Sequence, residues 1–198
     1  MSTPRTRTRL SPEARREQLL DVASTSIVAD GLHAFTMEGL ARSAGVSAPL
    51  VYKYFSGRPE LLEALLKREY ARFVADAVEK VREVSTFEDI VRMSVASNFD
   101  HHAPGNVLPI LLGQREIAAV IGSERKKHSR QNASYLVKAA AESYQLTQRQ
   151  AELVVSMSSG ASIAAAELAS SAGLDREATI ELAVTYILSG IESIARRG

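Results

Sequence analysis

Apolar residues recur at three- and four-residue spacing along almost the whole chain, and no stretch alternates long enough to make a half-buried strand. The pattern predicts an all-α protein. Ser11-Pro12-Glu13 supplies a cap, a proline at the first helical position and an acid in the first turn. Leu19, Leu20, Ala23, Ile27 and Val28 then share one face until Gly31, which predicts a first helix over 12–30. Thr36 is placed to cap a short second helix, MEGLARSA, and Gly45 after it suits a left-handed turn. Ser47 is placed to cap a third helix, with Val46 as the apolar residue before the cap. Two short helices about a glycine-containing turn form a helix-turn-helix unit. A long fourth helix is predicted over 58–83, and further helices over 86–102, 106–119, 122–144, 147–171 and 176–196. The breaks fall at His102-Ala103-Pro104-Gly105, at Gly122, at Leu146-Thr147 and at Ser171-Ala172-Gly173.

The third helix carries two tyrosines, a lysine and a phenylalanine within barely two turns, GVSAPLVYKYF. Advancing about 100° per residue from Ala48, Val51 and Phe55 fall together and face inward with Val46. Ala48, Pro49, Tyr52 and Lys53 form a broad outer face, with Leu50 and Tyr54 between. Small apolar groups at the N-terminal end, followed by a phenol and an ammonium one turn later, suit a recognition helix that meets base edges first and phosphates further along. The missing N–H of Pro49 belongs to the unpaired first turn, and its ring offers an apolar face to a thymine methyl. On the wheel alone, Tyr52 and Tyr54 serve equally well as packing residues and Lys53 as a solvated charge.

Composition narrows the chemistry more than it identifies a partner. The 198 residues include no cysteine, which excludes disulfides, thiolate catalysis and zinc fingers and fits a reducing compartment. The longest apolar runs, such as VLPILLG, stop short of the roughly 18 to 20 residues that cross a bilayer. MSTPRTRTRL lacks the apolar stretch of a secretory signal, so a soluble cytoplasmic protein with no membrane partner is expected. The net charge is only +1 and the sequence pI about 8.0, below the pI of roughly 9 that by itself suggests nucleic-acid binding. Within residues 1–16, Arg5, Arg7, Arg9, Arg15 and Arg16 face a single acid, Glu13, as either a solvated tail or an arm that reaches DNA. Adjacent His101 and His102 diverge by about 100° on a helix and have no nearby Glu-x-x-His pair. No metal site and no cofactor are expected, and no nucleophile, base and orienter set suggests an enzyme.

The run LLDVASTSIVADGLHAFTMEGLARSAGVSAPLVYKYFSGRPELLEALL resembles the DNA-binding region of the TetR family of transcriptional regulators. The matching features are Gly31, the aromatic before Thr36, Leu40-Ala41, Ala44-Gly45-Val46-Ser47, Tyr52, Tyr54-Phe55 and Leu61-Leu62, at family spacing over about a quarter of the chain. The resemblance implies a flexible Arg-rich arm over 1–10, a helix-turn-helix DNA-binding domain over 11–56 and a helical effector-binding and dimerisation domain over 57–198. It places Thr36, Met37, Arg42 and Ser47 at the DNA, Ala48, Pro49 and Leu50 at base edges, and Tyr52, Lys53, Tyr54 and Arg58 at phosphates. Two departures stand out. Gly39 lies inside the second helix, where it costs about 0.5 to 1 kcal/mol relative to alanine. Leu50 replaces the small hydroxyl residue common there, which favours readout by apolar contact and shape.

The rest of the chain has little family sequence in common. Leu153, Met157, Gly160, Ala164 and Leu168 form one near-heptad stripe, and Ile180, Val184, Ile187, Ile191 and Ile194 another. With the resemblance, both are expected in a homodimer, with Gly160 and Ala164 allowing close backbone approach. Polar or soft residues in apolar surroundings, Met93, Asn98, Phe99, His102, Gln114, Arg115, Tyr135 and Met157, are candidates for binding a small-molecule effector of unknown class. Arg125, Lys126, Lys127 and Arg130 read as a solvated basic face. The expected function is a ligand-responsive repressor released from a palindromic operator in double-stranded DNA. The rival is an all-α carrier or enzyme with an incidental basic N-terminus.

Overall fold

Caps and glycines divide the chain into helices much as the periodicity predicts. The computed structural model describes residues 10–196 apart from 83, 85 and 104, so most of the Arg-rich arm lies outside the described residues. Among the described residues the protein is all-α: α1 (Pro12–Asp30), α2 (Met37–Ser43), α3 (Ala48–Tyr54), α4 (Arg58–Arg82), α5 (Phe87–His102), α6 (Val107–Leu112), α7 (Arg115–Ala119), α8 (Gly122–Tyr144), α9 (Gln148–Ala172) and α10 (Arg176–Ala195). Ser11 caps α1 by accepting from the Ala14 N–H, and capping boxes Thr86–Asp89 and Thr147–Gln150 open α5 and α9.

The segment expected as one helix over 106–119 is two. Gln114 adopts an extended conformation (φ −95°, ψ 109°) and opens α7, directly after Gly113, the residue that surrenders helical geometry most cheaply. Packing accounts for the bend. Val107, Leu108 and Leu111 of α6 are buried, whereas α7 buries no residue fully.

Two hydrophobic clusters hold the molecule together. The first joins α1, α2, α3 and the N-terminal half of α4 through Leu19, Leu20, Ile27, Leu40, Val51, Phe55, Leu61 and Leu65, and takes in Val107, Leu108 and Leu111 of α6 with Ile121. The second joins α5, α8, α9 and α10. Each fully buried Leu, Ile or Phe side chain contributes about 1.5 to 3 kcal/mol. Arg68 binds α4 to α1, its guanidinium donating to Glu17 and Asp21 as well as to Glu69. Further along α4, Tyr70 and Phe73 meet His128 of α8 and His101 of α5, with ring centroids 5.7 and 5.1 Å apart.

The packing of α10 corrects one expectation. Ile180, Val184, Ile187 and Ile191 are buried within the protomer's own second cluster and are not free to meet a partner. The helix is apolar on two faces, and the wheel alone does not say which one the protomer consumes. Its exposed apolar residues are Leu182 and Tyr186, each 70% exposed. On α9 the expected stripe is on the surface, where Leu153, Met157, Gly160, Ala164 and Leu168 are all exposed. A Cβ added at Gly160 would meet nothing within 4 Å. By length and hydropathy α9 and α10 also qualify as membrane spans, but each turns one face into the second cluster.

Candidate nucleic-acid interface

The α2–turn–α3 unit is built by caps and a tight glycine turn. The Thr36 hydroxyl accepts the Gly39 N–H at 3.0 Å and starts α2. Gly45 turns the chain at φ +65°, and the Val46 N–H returns to the Ala41 carbonyl at 3.0 Å, which closes the end of α2. Ser47 occupies the N-cap position of α3 but makes no side-chain capping bond. Its exposed hydroxyl remains available to an outside partner, a role different from the capping one its position suggests.

The division of α3 follows the wheel except at Ala48, expected on the outer face but half-buried against the first cluster. Val51 and Phe55 are fully buried, while Pro49, Tyr52 and Lys53 are exposed. Ala48, Leu50 and Tyr54 are half-buried, and Ala48 and Tyr54 pack against the first cluster. The Arg16 guanidinium lies 5.1 Å from the centre of the Phe55 ring, a cation–π contact that ties α1 to the end of α3. Thr36 and Arg42 are exposed on α2. Met37 is not: it is 4% exposed and shares the inward face of α2 with Leu40 and Ala41, at i, i+3 and i+4. That burial removes Met37 from the outward surface.

Arg58 is committed inside the protein. Its Nε donates to the Phe35 carbonyl at 3.2 Å and its Nη2 to the Leu32 carbonyl at 2.8 Å, which fixes the α1–α2 loop on the head of α4. Between α1, α2 and α3 an open concavity of about 390 Å³ is lined by Arg15, Arg42, Ser47 and Leu50, with Ala41, Gly45 and Val46. Arg15, a residue of α1 grouped by sequence with the basic N-terminus, thus shares a surface with Arg42. Tyr52 donates to the Glu38 carboxylate at 3.1 Å, and this bond, with some burial, raises the phenol's pKa above its ordinary value. Glu38 carries no sequence signal that singles it out.

A second, smaller cavity of about 50 Å³ lies among α5, α8, α9 and α10. Of the candidate effector residues with described side chains only Asn98 lines it, and its Nδ2 donates to the Ser162 hydroxyl at 2.8 Å. Phe99 is buried in the second cluster and Met93 is half-buried away from the cavity, whereas Gln114, Arg115, Tyr135 and Met157 are exposed. The His102 side chain lies outside the described residues. Sequence reasoning misses Ser94, Ser158, Ser159 and Ser162, which line the cavity. The available signal is Ser158 and Ser162 at i and i+4 within the Ala/Ser/Gly-rich stretch of α9.

Residues 19–65 match the family model described as bacterial regulatory proteins, tetR family. The chain is 37% identical over 92 residues to the HTH-type transcriptional activator FasR of Mycolicibacterium smegmatis, covering 46% of this chain and 42% of that protein. It is 26% identical over 94 residues to the fatty acid metabolism regulator protein of Bacillus subtilis, covering 48% of each. The matched stretch spans about half the length of these curated relatives or less. Among solved structures, a TetR-like transcriptional regulator from Rhodococcus sp. RHA1 superposes with a TM-score of 0.68 at 22% identity, over 92% of this chain and 98% of the other. The Bacillus subtilis regulator FadR in complex with stearoyl-CoA superposes with a TM-score of 0.59 at 18% identity, over 85% and 97%. At these identities the structural likeness concerns the fold.

Proposed function

We propose that this chain, whose residues 19–65 match the tetR family of bacterial regulatory proteins, is a member of that family and a cytoplasmic transcription factor that binds operator DNA through α3 as a homodimer and is released by a small molecule. The observation that carries the reading is the two-sided α3: Val51 and Phe55 are sealed in the core while Pro49, Tyr52 and Lys53 stand outward. Pro49, Leu50 and Ala48 meet base edges in the major groove, largely by apolar contact. Lys53, Tyr52, Arg42, Thr36 and Ser47 hold phosphates, with Tyr54 at the margin, and Arg58 fixes the loop that presents Thr36. The protein requires no catalytic step.

Dimerisation uses the exposed apolar stripe of α9, with Leu182 and Tyr186 of α10, about a two-fold axis. That symmetry implies a palindromic operator, with adjacent half-sites about 34 to 36 Å apart. The effector enters the cavity among α5, α8, α9 and α10. No charged side chain appears among its described lining residues, and burying an unpaired charge there would be costly. The group it accepts is therefore neutral and mainly apolar, with a polar atom for the Asn98–Ser162 pair. The stearoyl-CoA bound to the Bacillus subtilis protein makes long acyl chains the first compounds to try. Opening the cavity shifts α5, which abuts α4 through His101 and Phe73, and so biases the separation of the two DNA-binding heads.

Repression is the expected sign, with effector binding lifting it. The test is selection of bound fragments from random DNA, repeated with a panel of acyl compounds and other metabolites. Enrichment of a palindrome, lost when one compound is present, is the expected result. Enrichment of no sequence would refute the reading.

A further inference from the structure

The outward surface of α2 and α3 carries an acid among its cations and hydroxyls. Glu38 is exposed, and no described lysine or arginine forms an ion pair with it. Its Oε1 instead accepts the hydrogen bond of the Tyr52 phenol at 3.1 Å, across the turn between the helices. Tyr52 is 44% exposed, so the bond lies on the face that also presents Pro49 and Lys53.

A phenol has a single proton to donate. Tyr52 can give it to the carboxylate or to a DNA phosphate, but not to both. A carboxylate on the binding face also repels every phosphate that approaches, and this repulsion is longest-ranged at low salt. Resting on the DNA-binding reading above, we propose that Glu38 is an affinity-setting residue: it competes with DNA phosphate for the Tyr52 hydroxyl and weakens binding to any duplex. Glu38 does not have to be near a base to act this way, and the effect is independent of sequence. In a protein whose net charge is only +1, one interfacial anion is a sizeable fraction of the electrostatic attraction to bulk DNA. Glu38 thereby keeps the effector-released protein from being retained on bulk DNA by phosphate contacts alone.

The experiment uses the full chain and measures binding to the selected operator fragment and to random-sequence duplexes across a salt series. Glu38→Gln removes the charge and is expected to tighten both complexes by about five- to tenfold at low salt, with the log K against log salt slope steeper by about 0.9. Glu38→Ala also removes the acceptor and frees the phenol, so Tyr52→Phe should cost more affinity in the Glu38→Ala background than in the wild type. Circular dichroism confirms that each variant is folded. Unchanged or weaker binding by Glu38→Gln, or a Tyr52→Phe loss no larger in the Glu38→Ala background, overturns the proposal. Lys53→Ala, measured beside them, separates the two readings. If it weakens binding and flattens the slope while Glu38→Gln does nothing, the interface stands and only the Glu38 inference fails. If neither variant changes binding, the interface itself is wrong.

Discussion

Replacing Gly39 by alanine should fail to stabilise this protein, against the ordinary preference of helices. Gly39 lies inside α2, where glycine costs about 0.5 to 1 kcal/mol relative to alanine. Propensity alone predicts that Gly39→Ala is stabilising by that amount. In the structure, however, a Cβ at this position would come 2.9 Å from Thr36 Oγ1, closer than real Cβ contacts allow. That oxygen is the cap of α2, accepting the Gly39 N–H at 3.0 Å. Displacing it forfeits a capping bond worth about 0.5 to 2 kcal/mol. Taking the cap at its typical value of about 1 kcal/mol, the two terms nearly offset, and the net change runs from near zero to about 0.5 kcal/mol of destabilisation. The sign should reverse once the cap is gone: in a Thr36→Ala background, Gly39→Ala should stabilise by the full propensity gain of about 0.5 to 1 kcal/mol. Urea unfolding followed by circular dichroism on the four proteins of the cycle reads this directly. A stabilisation of 0.5 kcal/mol or more by Gly39→Ala in the wild-type background would refute the argument that glycine is required by the cap.

Three further outcomes test contacts and faces elsewhere in the chain. The Glu60 carboxylate accepts the Ser56 hydroxyl at 2.6 Å and the Ser56 N–H at 2.7 Å, and these bonds, the hydroxyl first, hold its pKa below the ordinary value. Because the folded pKa is the lower one, the stabilisation is complete above the unfolded carboxylate's pKa and is lost as pH falls through the folded value. Glu60→Gln should therefore reduce the acid-side loss of stability in a series of melts, and an unaltered pH profile would count against the contact. On α10, Leu182→Glu with Tyr186→Glu should convert a dimer to a monomer in sedimentation with little change in protomer stability. Ile187→Ala should instead cost about 2 to 5 kcal/mol by opening a cavity in the second cluster, and the opposite pattern of effects would invert the assignment of the two faces.

Most helices and the two faces of α3 were legible because they depend on local signals: periodicity, a proline at the first turn, and glycines at Gly31 and Gly45, both with positive φ. What escaped depends on which of several suitable surfaces the tertiary fold uses. Met37 looks as available as Arg42 until Leu40 and Ala41 turn the helix so that it is buried. The isoleucines of α10 make as good a dimer stripe as any, but the protomer needs them to bind α5, α8 and α9. The break at Gly113-Gln114 and the serines of the small cavity likewise depend on partners distant in sequence. The reason for Gly39 was out of reach for a different cause, because it rests on the distance between a missing methyl and one hydroxyl.

Residues 107–121 contribute Val107, Leu108, Leu111 and Ile121 to the same apolar cluster as Leu19, Leu20 and Phe55. The helix-turn-helix head is thus sealed by a segment that arrives only after α5 has been made. A hybrid regulator assembled by joining residues 1–66 to a foreign effector module would leave the undersides of α1 and α4 bare, whatever the fit of the new module elsewhere. Grafts that carry 107–121 with the head, or supply an equivalent apolar plug, keep that seal. The exchangeable unit in this chain is discontinuous in sequence, and a swap at a single splice point cuts through it.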